Sequence, residues 1–101
     1  MSTYRPLPKN LTIKESNIEG LGLFATDFIE DGVTLGLTHI PNKHSINAFT
    51  RTPLGGFINH SESPNCKLHQ GDGGMMYLMT TTSLEAGDEL TLKYKLYVPK
   101  K

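Results

Sequence analysis

The chain has 101 residues, with ten basic and ten acidic side chains and a formal net charge of zero. This length suits one domain with a modest core, and no apolar run approaches the ~18 residues of a membrane-spanning helix. The balanced charge argues against generic affinity for nucleic acid. Cys66 is the only cysteine, which excludes an intramolecular disulfide and a four-cysteine zinc site. The start of the chain lacks the apolar core of a signal peptide, so we expect an intracellular, reducing compartment.

Short apolar or alternating segments separated by glycine-rich turns follow one another along the chain. Residues 1–10, with two prolines, predict an extended arm. Strands are predicted at residues 11–14, 23–26, 33–40, 66–69, 75–82 and 89–94. Asp31 and Gly32 form a hairpin-type signal before the third of these strands. A helical turn is expected at most at residues 46–51, so the pattern predicts a mainly β domain.

The first segment that can carry chemistry is residues 20–24, GLGLF. Two glycines around one residue let the backbone fold closely and leave N–H and C=O groups free for a small polar ligand. The same pattern also fits an ordinary hairpin. It is not a dinucleotide-binding fingerprint, because the third glycine and the following helix are missing.

Two further segments stand out in the second half of the chain. Residues 55–66, GGFINHSESPNC, are dense in amide and hydroxyl groups. They fit either a turn-rich loop satisfied by its own side chains or a polar cradle for a cofactor. Residues 87–94, GDELTLKY, fit a surface hairpin that ends in a core tyrosine. Each segment alone is ambiguous, and their order and spacing are more specific than any one of them.

Together the three segments resemble the SET domain, the family of S-adenosylmethionine-dependent protein lysine methyltransferases. Residues 20–24 are similar to the family's first motif, a G-x-G turn followed by an apolar pair. Residues 57–66 are similar to the third motif, R-F-x-N-H-S-x-x-P-N-C, and residues 87–94 to the fourth, G-E-E-L-T-x-x-Y. The resemblance covers about residues 11–94. It implies a mainly β fold of small curved sheets with little helix, in which the chain end forms a pseudoknot that joins the third and fourth motifs.

The resemblance also implies a set of cofactor-binding residues. The backbone of Gly20, Leu21 and Gly22 should hold the methionine end of S-adenosylmethionine. The Asn59 side chain should bind its amino group, and backbone atoms of His60 should meet its adenine. S-adenosylhomocysteine would then be the product that leaves this site.

On the substrate side, the resemblance places Tyr94 where the methyl donor meets the lysine amine. Phe57 and Tyr97 are expected to contact the substrate, which would be a lysine-bearing protein. In this reading residues 1–10 are an arm, residues 11–94 the SET domain, and residues 95–101 a basic tail. Neither nucleic acid nor a membrane is an expected partner.

The chain departs from the family pattern between its first and third motifs. The second motif is weak in residues 33–39, and about twenty residues stand where family members usually carry a larger helical insert beside the substrate groove. A second subunit in a homodimer, or Tyr97 and the tail, would have to replace that wall. The brevity of the chain is typical of a viral or bacterial protein, which would place it in the cytoplasm or in a host nucleus or cytoplasm.

Two other interpretations stay open. One is a reduced SET-like domain that binds a protein partner without catalysis, which the short insert favours. The other is a metal site at His60, Cys66 and His69, whose spacing is compatible with zinc. That site would need a fourth ligand from His39, His44 or a carboxylate, although both of these histidines are otherwise expected in surface loops. The resemblance itself implies no metal.

Overall fold

The structure, a computed structural model, describes residues 7–44 and 49–93. Strands dominate, and their bounds are β1 (Leu11–Glu15), β2 (Leu21–Ala25), β3 (Thr34–Pro41), β4 (Phe49–Arg51), β5 (Asn59–His60), β6 (Cys66–Gln70), β7 (Met76–Thr80) and β8 (Thr91–Leu92). Within these two ranges, helix is confined to α1 (Pro53–Gly56) and a 3-10 turn, Asp72–Gly74. Neither is long or apolar enough to cross a membrane. The predicted mainly β fold with little helix is confirmed.

The described strands form three small sheets. β1 and β2 make an antiparallel hairpin, and β4, β3, β7 and β6 follow one another in an antiparallel sheet of four. β5 and β8 pair in parallel, with Asn59 opposite Thr91 and His60 opposite Leu92. This last pairing brings the two polar segments of the second half of the chain side by side.

The Asp31-Gly32 pair forms a turn, but the strands on its two sides do not pair with each other. β2 pairs with β1, whereas β3 pairs with β4 and β7. The turn is held instead by the end of β7, where the Gly32 N–H donates to the Thr80 carbonyl at 3.0 Å. An Asp-Gly pair specifies a local reversal through the positive φ of its glycine, here 78°. It does not specify which strands become partners, so the hairpin interpretation was wrong.

The β3–β4 hairpin overturns two further expectations. Of the predicted helical turn, the described part, Phe49–Arg51, is strand β4, and residues 45–48 lie outside the described ranges. His39 was expected in a surface loop but lies inside β3 with 5% of its surface exposed. Its Nδ1 is 2.8 Å from the Thr38 hydroxyl, and its ring meets Phe49 edge-on at 5.7 Å. Burial, with a smaller contribution from Arg51, lowers the pKa of His39. His44 is exposed, as expected.

One apolar core joins the sheets. Its buried members are Leu11, Leu23, Ala25, Ile29, Leu35, Leu54, Ile58, Cys66, Leu78, Leu84, Leu90 and Leu92. Ile58 directly precedes Asn59, and Leu90 directly follows Glu89; both of these polar residues are only partly buried. Because side chains alternate along extended backbone, anchoring Ile58 and Leu90 in the core turns Asn59 and Glu89 to the other side. The core therefore orients the polar site described below.

Thr80 is a buried polar residue of this core, with 1% of its surface exposed. Its hydroxyl donates to the Glu30 carbonyl at 2.7 Å and accepts from the Val33 N–H at 2.9 Å. Thr80→Val keeps the shape but leaves both backbone groups without that partner, so we expect the free energy of unfolding to fall by about 2 kcal/mol. Urea denaturation measures this change. The exposed Thr82→Val is the matched control and should stay within about 0.5 kcal/mol of wild type; an equal loss in both variants would contradict the assignment.

Candidate functional site

The site is built around the turn between β1 and β2. The Ser16 N–H donates to the Gly20 carbonyl at 2.8 Å and closes the turn. Gly20 has φ 49°, in the left-handed region that glycine adopts at little cost. Leu21 and Gly22 already belong to β2, so this strand begins two residues before the predicted strand at residues 23–26.

Gly22 is required for space rather than for backbone conformation. A Cβ at this position would overlap the Glu89 carboxylate oxygen Oε2 and lie 3.0 Å from the Ser16 Cβ. The next part of β2 is tied to the same segment, because Phe24 forms an antiparallel bridge with Glu89. The missing side chain of Gly22 is therefore what lets the Glu89 carboxylate lie against the hairpin.

Gly22→Ala should force the Glu89 carboxylate to move, and overpacking of this kind costs about 1–3 kcal/mol. We expect the free energy of unfolding to fall by that amount in chemical denaturation. Gly56→Ala is the matched control, since no atom lies within 4 Å of a Cβ there and its φ is not positive. The interpretation fails if Gly22→Ala is as stable as Gly56→Ala.

Helix α1 leads the chain to Asn59. Thr52 caps the helix, since its hydroxyl accepts from the Gly55 N–H at 3.3 Å. The Thr52 N–H also donates to the Thr38 carbonyl at 2.8 Å and ties the start of the helix to β3. A Cβ at Gly55 would lie 2.5 Å from the same carbonyl, so only glycine allows α1 to pack this closely against β3. Ile58 then enters the core, and Asn59 faces the β1–β2 turn.

The Asn59 amide nitrogen lies among four acceptor oxygens. Nδ2 donates to Glu89 Oε2 at 2.8 Å and lies 3.1 Å from Ser16 Oγ, 3.1 Å from the Glu19 carbonyl and 3.2 Å from the Leu21 carbonyl. The opposite orientation would point the amide oxygen at these four oxygens, so the orientation of the amide is fixed. Within the described ranges, Asn59 Oδ1 accepts no side-chain hydrogen bond and is available to a ligand.

Ser16 and Glu89 form the second layer of this cluster. The Ser16 hydroxyl donates to the Glu89 carboxylate, 2.8 and 2.9 Å from its two oxygens, and accepts from the Ile18 N–H at 2.9 Å. Neither residue was predicted as a site residue. Glu89 lies in a motif that the sequence did single out, but nothing in the sequence marks Ser16.

Asn65 ties β8 to the loop that follows β5. Its Nδ2 donates to the Glu89 carbonyl at 2.8 Å, and its Oδ1 accepts from the Thr91 N–H at 2.9 Å. Its own N–H lies 3.3 Å from the Thr91 hydroxyl. Asn65 is therefore a structural member of the third motif that holds the Glu89 backbone in place.

His60 follows Asn59 in β5, and its side chain points to the rim of the site. Its Nε2 is 2.9 Å from Glu62 Oε2, and Lys93 Nζ is 3.3 Å from Glu62 Oε1. Hydrogen bonds from His60 and Lys93 lower the pKa of the exposed Glu62 carboxyl. The backbone continues beside β8, where the Ser61 N–H donates to the Leu92 carbonyl at 2.9 Å.

Comparison with protein families identifies this architecture. A model of the SET domain matches residues 37–95, more than half of the chain. The chain belongs to the SET domain family. No curated protein sequence matches the chain significantly.

Solved structures share the fold of this SET domain. A candidate histone methyltransferase of Plasmodium falciparum superposes with TM-score 0.67 and 19% identity, covering 87% of this chain and 95% of that one. A chain of Chaetomium thermophilum Polycomb Repressive Complex 2 gives TM-score 0.74 and 20% identity. Its humanized, inhibitor-bound form gives 0.75 and 20%. These two matches cover 92% of this chain but only 17% and 16% of the Polycomb chains, so the chain spans about a sixth of their length.

The SET domain brings together most of the residues that were predicted to bind the cofactor. Asn59 contacts the turn formed by Gly20 and the strand begun by Leu21, and His60 follows it in β5. Gly22 lies beside them in β2. Their contact with a cofactor stays a prediction.

Of the residues predicted on the substrate side, only Phe57 lies within the described ranges. Phe57 is partly buried at the end of α1, immediately before Ile58. Tyr94 and Tyr97, assigned to catalysis and substrate contact, lie outside the described residues. Residues 95–101, the predicted basic tail, lie outside them as well.

The metal interpretation gains no support from the described residues. Across residues 7–44 and 49–93, no three His, Cys, Asp or Glu side chains cluster as metal ligands do. Cys66 is 2% exposed, and burial raises the pKa of its thiol to about 12, so the thiolate that a metal needs is disfavoured. His69 is engaged elsewhere, stacked on Tyr77 at 5.5 Å and 3.4 Å from the Thr34 hydroxyl.

Proposed function

We propose that this SET domain is a protein lysine N-methyltransferase that uses S-adenosylmethionine. The observation that supports this most is the position of the Asn59 amide between the β1–β2 turn and Glu89. Three segments that are far apart in the sequence meet there, and they are the three that carry the family resemblance. An incidental similarity in sequence would not require this convergence.

The charges of the site fit the cofactor. S-adenosylmethionine carries an ammonium group, and the site offers oxygen atoms around Asn59, where no basic side chain of the described residues bonds to it. Asn59 Oδ1 would accept from the ammonium group, and the backbone of residues 20–22 would hold the rest of the methionine end. The His60 backbone would meet the adenine, as the family resemblance implies.

The reaction needs little acid–base chemistry from the chain. S-adenosylmethionine supplies an electrophilic methyl group, which the neutral lysine nitrogen takes through a new N–C bond while the S–C bond breaks and sulfur keeps the electron pair. The chain's part is alignment, which can supply a large share of the rate gain. We assign the Tyr94 hydroxyl to orienting the amine, and burial of the lysine side chain to lowering its pKa. The lysine ammonium loses its proton to water before the methyl group is transferred.

Calorimetric titration with S-adenosylmethionine and S-adenosylhomocysteine tests the cofactor site, and we expect about one site per chain. Transfer of a labelled methyl group to lysine-rich proteins then tests the activity. Tyr94→Phe should abolish transfer yet still bind S-adenosylhomocysteine. Tyr77→Phe is the matched control, because the Tyr77 hydroxyl contacts only the Met75 sulfur, at 3.9 Å, among the described residues. Folded protein that binds neither ligand would refute the proposal.

A second candidate function is a SET-like module that binds a protein partner without catalysis. It is favoured by the connection between β3 and β5, whose described part holds only β4 and the four-residue α1. A substrate groove would then lack one wall unless a second copy of the chain supplied it. Light scattering of the purified protein distinguishes a dimer from a monomer, and transfer lost in Tyr94→Phe would exclude the non-catalytic alternative.

A further inference from the structure

We propose that Ser16 and Glu89 are positioning residues that hold the Asn59 amide so that its oxygen faces the ammonium group of the bound cofactor. The proposal rests on the proposed function, because it concerns how the same site recognises its ligand. It goes further because it assigns the preference for a ligand that carries the ammonium group to two residues that need not touch the ligand.

The two ends of an amide side chain differ in their hydrogen bonding, since the oxygen accepts and the nitrogen donates. An Asn side chain that turns over exchanges an acceptor for a donor, and a donor facing an ammonium group repels it. Glu89 Oε2, at 2.8 Å, is the shortest contact of Asn59 Nδ2. A carboxylate accepts more strongly than a neutral carbonyl, so Glu89 contributes most to keeping Nδ2 turned inward and Oδ1 turned outward.

Ser16 fixes the carboxylate that performs this task. Its hydroxyl is held by the Ile18 N–H at 2.9 Å and points its proton at Glu89. The chain also keeps room for the carboxylate, since any side chain at Gly22 would displace it. A carboxylate placed by both a hydroxyl and a dedicated glycine is a specified feature of the hairpin, not a surface side chain that happens to lie near it.

The charge of Glu89 points to a cation as well. Its side-chain partners are two neutral donors, Ser16 and Asn59. Among residues 7–44 and 49–93 no lysine, arginine or histidine forms an ion pair with it; the ion pairs found there involve Glu62. A partly buried carboxylate with no counter-ion among the described residues attracts a positive group that binds nearby. The cofactor's ammonium group would supply that positive charge from the oxygen side of the Asn59 amide, with Glu89 on the nitrogen side.

The test compares S-adenosylhomocysteine with its desamino analogue, in which hydrogen replaces the ammonium group. Glu89→Met removes the acceptor at similar length and should lower the affinity for S-adenosylhomocysteine about 30-fold, which is typical of losing a charged hydrogen-bond partner. The affinity for the desamino analogue should stay within about twofold. Glu89→Gln keeps an acceptor and should recover part of the loss. Ser16→Ala should lower the affinity for S-adenosylhomocysteine about fivefold.

Matched controls are Glu85→Met and Ser83→Ala, which change exposed side chains of the neighbouring turn. If wild type binds S-adenosylhomocysteine but Glu89→Met weakens both ligands equally, Glu89 is merely structural and the positioning role is overturned while the cofactor site stands. If wild type binds neither ligand, the proposed function itself fails. Should Glu89→Met not fold, Ser16→Ala decides: equal loss for both ligands, or no loss for either, overturns the proposal.

Discussion

Asn59→Ala is expected to lower the affinity for S-adenosylhomocysteine about 100-fold, the largest effect on binding in this site. The variant loses the oxygen that faces the ammonium group. It also leaves Glu89 and the carbonyls of Glu19 and Leu21 without the donor that they share. Losing a hydrogen bond to a charged group costs about 1.5–3 kcal/mol, and a 100-fold change in dissociation constant corresponds to about 2.7 kcal/mol.

Calorimetric titration measures the affinity, and circular dichroism checks that the variant is folded. Asn42→Ala is the control, because it removes an amide that bonds only to Thr50 and to the His44 N–H among the described residues. Tyr94→Phe should change the affinity much less than Asn59→Ala does. Equal losses in those two variants would contradict the separate roles assigned to them.

Asn65→Ala is expected to lower the free energy of unfolding by about 3 kcal/mol, the largest effect on stability among the polar residues of the site. Both ends of the Asn65 amide bond the backbone of the fourth motif, at the Glu89 carbonyl and the Thr91 N–H. Their loss leaves two partly buried backbone groups unpaired, at about 1–3 kcal/mol each. Urea denaturation measures the loss, and the exposed Asn17→Ala should stay within about 0.5 kcal/mol.

Asn65→Asp separates the two hydrogen bonds. The new carboxyl keeps an oxygen for the Thr91 N–H, but when ionised it opposes the Glu89 carbonyl. Its neutral form can still donate, so the folded state raises the pKa of this carboxyl above its unfolded value of about 3.9. The variant should therefore approach wild-type stability below about pH 3.9 and lose stability as the pH rises from there through the raised pKa of the folded state. A deficit that does not depend on pH would contradict the donor role.

The sequence predicted what depends on local chemistry. Alternation identified the strand around Ile13, and short segments bounded by turn residues identified the strands around Leu68 and Leu78. The glycines identified where the chain turns. The same reasoning made strands too long: within residues 75–82 and the described residues 89–93, the strands are only β7, Met76–Thr80, and β8, Thr91–Leu92. A strand ends where its partner ends, and the partner is chosen by the fold rather than by the segment itself.

The site was predicted in part for the same reason. Residues with a motif around them, such as Asn59 and Gly20, were recognised. Ser16 was not, because its role depends on a contact with Glu89 across 73 positions of sequence. His39 was assigned to a surface loop because the pairing of β3 with β4 was not foreseen. This pairing places the His39 ring against Phe49 of β4.

The wide sequence separation of the Ser16–Glu89 contact has a kinetic consequence. Contacts between distant parts of a chain form after much loop-closure entropy has been lost, and they are scarce in early folding events. Interactions absent from the folding transition state act on the rate of unfolding, not on the rate of folding. A ligand bound at this junction should therefore slow unfolding without speeding folding. The cofactor would lengthen the lifetime of the native state only after the fold has formed.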